Sequence, residues 1–214
     1  ARNDLATCGV AVTDATPDRA DPPPVSAVAV RDSDGERTVV SRNAADILAT
    51  PGAGMSTPAD AGQLDADVVL VDGHHPLLAL HAASTARAAG IPVLLDAGSW
   101  KPVLTELLPL VDVCACSSGF LFPEHPDPAG TEVALHAAGV PVVTRTDGAR
   151  PVRWSVRRAG SWRDRGIERG TVPVPATPAR DTSAAGDVWH GALALGIARL
   201  GAVPSAADLP PLLA

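Results

Sequence analysis

The chain has only three cysteines in 214 residues, Cys8, Cys114 and Cys116. An odd number at these spacings does not read as a disulfide framework, and it suits a reducing compartment. No stretch approaches the roughly 20 consecutive apolar residues that cross a bilayer. The opening residues 1–10 have no basic stretch leading into a long apolar one, so no signal peptide is expected, nor any membrane association. The expected location is the cytoplasm. Basic residues are outnumbered, 17 Lys and Arg against 24 Asp and Glu, for a net charge of −7. Nucleic-acid binding needs a basic stripe to meet phosphates, so no nucleic-acid partner is expected. No Gly-x-Gly-x-x-Gly follows an early strand and no Gly-x-x-x-x-Gly-Lys occurs, which argues against an unrelated Rossmann-like nucleotide binder.

What is present is ordinary for a globular chain, 46% hydrophobic and 19% charged residues, at a length that suits one large domain or one domain with a small lid. Two β-prone runs, 25–30 and 38–40, flank a polar stretch with an Asp-Gly turn signal, which predicts a hairpin in a lid or edge sheet. Residues 44–64 read as loop. From 68 onward short apolar runs alternate with Ala- and Leu-rich helical segments. Strands are expected at 68–71, 92–95, 111–116, 140–143, 152–156 and 171–174, and helices at 77–89, 102–110, 131–138 and 185–200. Val188, Ala192 and Leu195 repeat at helical spacing in the last of these. Residues 204–214 read as loop or frayed end. Alternation of this kind predicts an α/β fold with a predominantly parallel sheet flanked by helices, plus the small β lid. The expected division is 1–43 for the lid-associated β segment and its approach loop, and 44–214 for the α/β domain. Ligands of such sheets gather at the C-terminal strand ends.

One stretch carries chemistry, Asp181-Thr-Ser-Ala-Ala-Gly-Asp-Val-Trp-His-Gly191. Small residues stand where a loop becomes a helix, so a phosphate can approach the free N–H groups and the positive dipole end closely. Asp187 falls in the first turn beside that hole. A carboxylate there can take the proton of an attacking hydroxyl while the N–H groups stabilise the transferred phosphoryl group. The alternative is an aspartate that merely complements the helix dipole.

DTSAAGDVWHG resembles the C-terminal signature of the PfkB, or ribokinase-like, carbohydrate kinases, Asp-Thr-x-Gly-Ala-Gly-Asp followed by a helix. The resemblance implies a ribokinase-like fold and ATP-dependent phosphorylation of a hydroxyl on a sugar or sugar-like molecule. It implies Asp187 as catalytic base, Ala184, Ala185 and Gly186 as the anion hole, and Asp181 and Thr182 at a monovalent cation site suited to K⁺. Ala184 replaces the family's first Gly; a helical φ is expected there, which Ala tolerates. Thr144-Arg-Thr-Asp-Gly148 follows the expected strand 140–143 and resembles the family's Thr-x-Gly-x-x-Gly phosphate loop, which implies Thr144, Thr146 and Gly148 as nucleotide-binding. A plain turn at Asp147-Gly148 is the alternative. Ser117, after the strand 111–116, is a further nucleotide-binding candidate.

Gly35-Glu-Arg-Thr38 resembles the lid of fructose-type kinases and gives Arg37 as a substrate contact, against a solvated hairpin arginine. Val71-Asp-Gly-His-His-Pro76 resembles a ketohexokinase-like segment and gives His74 as another. Asp96 and Lys101, in a further strand-end segment, are assigned to metal or phosphate electrostatics. Many family members organise Mg²⁺ with Asn-x-x-Glu, where this chain reads Ser117-Ser-Gly-Phe120. Either water and nucleotide hold the metal, or Glu124 substitutes, or activity is impaired. The last option sustains a second reading, a catalytically impaired nucleotide-binding or regulatory protein. Cys114 and Cys116 share one strand face without a third or fourth ligand, which favours packing over zinc. The resemblance covers about 25–201 and implies a chain truncated at both ends, lacking an upstream Gly-Asp strand and Gly-Gly-x-x-x-Asn segment. It also implies a homodimer through the lid.

Overall fold

The computed structural model describes residues 2–20, 25–31, 37–41, 49–52, 55, 64–158, 166–177 and 181–214. The turn of the lid hairpin, with Gly35 and Glu36, lies outside the described residues, as does most of 44–64. A short helix α1 (Arg2–Thr7) opens the chain. Strands β1 (Ser26–Val30) and β2 (Arg37–Ser41) pair antiparallel, with Val30 opposite Arg37, as a separate two-stranded sheet.

The main sheet has six strands in the order β3-β4-β5-β6-β7-β8. Strands β3 (Val69–Val71), β4 (Val93–Ala97), β5 (Val113–Cys116) and β6 (Val142–Asp147) run parallel. Strands β7 (Arg150–Arg157) and β8 (Ile167–Val172) add antiparallel pairs at one edge. The parallel strands are linked by α2 (Pro76–Ala89), then α3 (Leu104–Leu107) with a following 3-10 turn, then α4 (Pro128–Ala137). Two helices close the chain, α5 (Ala185–Leu200) and α6 (Leu209–Leu213).

The short apolar runs form strands because both faces are covered, which rewards continuous hydrophobicity over alternation. On one face Ala83 and Ala86 of α2 and Leu104 and Leu107 of α3 pack with Leu95, Cys114, Cys116 and Val143. On the other, Leu193 and Ile197 of α5 and Leu209 and Leu213 of α6 pack on Leu94, Val113, Val142 and Trp154. Burying each such Leu or Val side chain contributes about 1.5–3 kcal/mol. Asp112, buried just before β5, is held by Arg87 Nη1 at 2.6 Å and by the Val93 N–H at 2.9 Å, so β4, β5 and α2 share one polar tie.

Three local expectations change. Helix α4 begins at Pro128 rather than 131, because Asp127 caps it by accepting from the N–H groups of Ala129 and Gly130, and Pro fits the first turn. Residues 209–213 are helical, not frayed: Asp208 ties to Ser205 through backbone and hydroxyl, and Leu209 and Leu213 reach the core. Gly196 lets α6 come close, since a β-carbon there would stand 2.6 Å from Leu212. The apolar row Val188, Ala192 and Leu195 faces outward, with Val188 71% exposed, whereas His190, Leu193 and Ile197 are buried. Because α5 is apolar nearly all round, two rows satisfy helical spacing, and packing selects the bulkier one.

Candidate active site

A cleft of about 460 Å³ opens at the C-terminal ends of β3 and β4, lined by Asp72, His75, Asp96 and Asp187 together with apolar residues of β3 and α2. Three elements thus deliver three carboxylates to one place: Asp72 follows β3, Asp96 lies near the end of β4, and Asp187 stands in the first turn of α5.

The junction into α5 depends on Ala184, whose φ of 57° puts it in the left-handed region as the helix N-cap. The helical φ expected for it does not occur. The loop must turn sharply to start the helix, and only a left-handed residue gives that turn, so Ala bears a cost of about 1–2 kcal/mol that Gly would not. No side chain caps the helix. The Ala185 N–H donates to Thr182 O at 3.2 Å, while the N–H groups of Gly186 and Asp187 lie in the first turn, where no intrahelical acceptor exists. A β-carbon on Gly186 would meet nothing within 4 Å, so the space over that turn is open. Asp187 is exposed and faces this space and the cleft. Asp181 Oδ1 accepts from the Ser183 N–H at 2.7 Å, which shapes the loop ahead of the cap.

Electrostatics distinguish the carboxylates. Burial pushes the Asp96 carboxyl above its ordinary value; His190 and Lys101 oppose the shift and the charges of Asp72 and Asp187 add to it. Burial also resists ionisation of Asp72, yet its hydrogen bonds from the backbone and ring of His74, with the charges of His74 and Lys101, hold it below its ordinary value.

The other sequence candidates separate. His74 is turned onto Asp72, with Nδ1 2.6 Å from Oδ2, and its neighbour His75 is the histidine that lines the cleft, its Nδ1 buried and without a hydrogen-bond partner. Adjacent residues point opposite ways, and nothing in the residue types told the two apart. Residues 144–147 are not a loop after the strand: β6 continues through Asp147, and the chain reverses at Gly148 into β7, with Asp147 opposite Arg150. The Thr144 side chain is buried and its Oγ1 has no partner. Thr146 is half-buried in the strand and Gly148 is exposed at the turn. Strand pairing with β7 extends β6, a long-range contact invisible in the local motif. Ser117 sits just past β5, its Oγ donating to Gly98 O and its carbonyl accepting from Arg145 Nη1 at 2.8 Å. Arg37 is on β2, and its side chain lies outside the described residues. Glu124 is exposed between β5 and α4. The Cys114 and Cys116 sulfurs are 3.7 Å apart and buried in the core, as packing residues.

Sequence reasoning missed His190. It is buried on α5 with Nδ1 3.4 Å from Asp96 Oδ2. Its place in the second turn after a dipole-bearing start was the available signal; the contact with β4 was not.

The profile of the pfkB family carbohydrate kinases matches residues 1–210. The chain belongs to this family. Among solved structures, an assigned ribokinase from Agrobacterium tumefaciens is 26% identical with a TM-score of 0.61, over 88% of this chain and 58% of that one. Arabidopsis thaliana ribokinase, solved with ribose and ATP, is 22% identical with a TM-score of 0.59, over 83% and 57%. Xylella fastidiosa fructokinase, solved with ATP, is 20% identical with a TM-score of 0.65, over 99% and 70%. This pfkB chain therefore spans 57–58% of the length of the first two. No curated protein matches it. No helix among the described residues is long and apolar enough to cross a membrane.

Proposed function

We propose that this chain carries the phosphoryl-transfer centre of an ATP-dependent kinase acting on a hydroxyl of a sugar or sugar-like alcohol. The observation that carries the reading is the placement of Asp187 in the uncapped first turn of α5, facing a cleft at the ends of two parallel strands. In this reading Asp187 accepts the proton of the attacking hydroxyl. The N–H groups of the turn formed by Ala184, Ala185 and Gly186 hold the transferred phosphate and stabilise its charge as the bond to the leaving nucleotide lengthens. Ser117, Thr146 and Gly148 are proposed on the nucleotide side, whereas Thr144, 0% exposed within the sheet between β5 and β7, is proposed only to support that strand end. Arg37 is proposed on the substrate side, and His75 joins or replaces His74 there, since His75 lines the cleft.

Among the described residues no group of three or more His, Cys, Asp or Glu side chains is arranged to hold a metal ion. Mg²⁺ would therefore enter with the nucleotide phosphates, which supply the oxygen ligands it prefers. K⁺ is proposed beside Asp181 and Thr182, where oxygen ligands precede the anion hole. The division into a lid-associated segment 1–43 and a catalytic part 44–214, a homodimer through the lid and a cytoplasmic location belong to the same reading. A screen of ATP consumption against ketoses, ribose and nucleosides tests it. Turnover with one of these classes supports the reading, and ATP binding without turnover on any of them favours a catalytically impaired nucleotide binder.

A further inference from the structure

A second cavity, of about 420 Å³, lies between α4 and the antiparallel edge of the main sheet, and none of its lining residues lines the cleft of Asp187. Strand pairing determines what faces it. Arg145 stands opposite Arg153, and Ser155 opposite Arg169, so β6, β7 and β8 each present an arginine to the same face. Alternation points the Thr144 and Trp154 side chains toward the opposite face, where Trp154 joins the α5 core, although both residues also border the cavity. Three arginines thus line one cavity in a chain whose net charge is −7.

Their charge is only partly answered from within. Arg169 Nε donates to Glu132 of α4 at 2.7 Å. Arg153 is exposed. Arg145 is 5% exposed, and among the described residues its side-chain hydrogen bonds run from Nη1 to main-chain carbonyls of Ser117, Ser118 and Phe120. Its Nη2 is buried without a hydrogen-bond partner. The charge of this buried guanidinium is met only by main-chain carbonyl dipoles, so an anion held nearby by the more exposed arginines gains from its field, and Arg presents to oxyanions a planar fork of donors.

We propose that this cavity binds a small dianionic oxyanion headgroup, a phosphate or a dicarboxylate, at a place separate from the proposed kinase centre. Arg153 and Arg169 grip the anion at the rim, Arg145 supplies the buried positive charge beneath, and Glu132 limits the site to ligands that compensate for its own charge. Because Arg145 also holds the 117–120 turn, occupancy bears on Ser117, the residue proposed for the nucleotide side.

The test is an NMR titration of the full chain with inorganic phosphate and, separately, succinate, reading the side-chain Nε–Hε signals of Arg145, Arg153 and Arg169. Saturable shifts of these signals are expected with at least one probe, and the responding probe identifies the headgroup class. Replacing Arg153 by Glu should weaken that binding about tenfold or more, as loss of one charge-assisted contact implies, and Glu132→Gln should tighten it. Arg153 is exposed, so its replacement opens no core cavity, and Arg153→Gln gives a milder second variant. Binding that does not saturate, or that Arg153→Glu leaves unchanged, overturns the proposal. So do shifts confined to the amides of residues 185–187, a result that would instead show the anion in the kinase centre.

Discussion

His190 on α5 places Nδ1 3.4 Å from Asp96 Oδ2 near the end of β4, close but without a hydrogen bond, so the helix that carries Asp187 meets the strand that carries a second carboxylate of the cleft. In the proposed reading this contact bears on where the first turn of α5 stands against the sheet, because phosphoryl transfer depends chiefly on positioning.

The state of Asp96 has a measurable consequence. Burial raises its folded-state value, and the charges of Asp72 and Asp187 add to the shift. A carboxyl raised in this way contributes its full stability below the unfolded value of about 3.9, and loses it as pH rises through the folded value. Asp96→Asn removes that dependence. Relative to the parent chain, the variant should gain stability as pH rises from about 4 to 7, read by urea unfolding at both ends of the range.

Histidine 136 gives the opposite slope. It is buried on α4, with Nδ1 2.8 Å from Val140 O and Nε2 2.8 Å from Ser155 Oγ. Burial lowers its value in the folded state, although the Val140 carbonyl and Glu132 oppose the shift. The stability that follows is present above the ordinary value of about 6.5 and is lost as pH falls through the folded value. Unfolding midpoints should fall on acidification below about pH 6.5, and His136→Asn should flatten that part of the profile while lowering stability at neutral pH.

The left-handed cap makes a third prediction. Ala184→Gly relieves a strain of about 1–2 kcal/mol, less the 0.5–1 kcal/mol of extra backbone entropy that Gly brings, so a net gain of up to about 1.5 kcal/mol is expected. Ala184→Val should destabilise, because a β-branched residue tolerates positive φ poorly. Thermal unfolding distinguishes these outcomes, and equal midpoints for all three would show that residue 184 does not hold the left-handed conformation.

Gly170 tests the antiparallel edge. A β-carbon there would run into the Trp154 ring of the neighbouring strand. Gly170→Ala should cost about 1–3 kcal/mol through overpacking, measured by urea unfolding.

Much of the frame was legible in the sequence, for reasons these residues show. Val93, Leu94 and Leu95 form a run that only a strand covered on both faces needs, and Gly90 stops α2 in a left-handed cap. The motif 181–187 gave the start of α5 because small residues before a run of apolar residues at helical spacing mark a helix start whatever lies around it. What was not legible depended on distant partners. Val188 and Leu193 have equal claims to the core by periodicity, and packing on Leu94 and Val113 decides between them. Strand β6 outruns its apolar residues because β7 pairs with it. The contact of His190 with Asp96 joins residues 94 positions apart, and the arginines of the second cavity align only through strand register.

The most direct test of the kinase reading compares Asp187→Asn with the parent chain for nucleotide binding and for turnover of whichever sugar the screen selects. The substitution keeps the shape of the first turn and removes the base. The reading predicts that turnover falls about 10²–10⁴-fold while ATP affinity stays within a few-fold. Turnover unchanged in Asp187→Asn would contradict it.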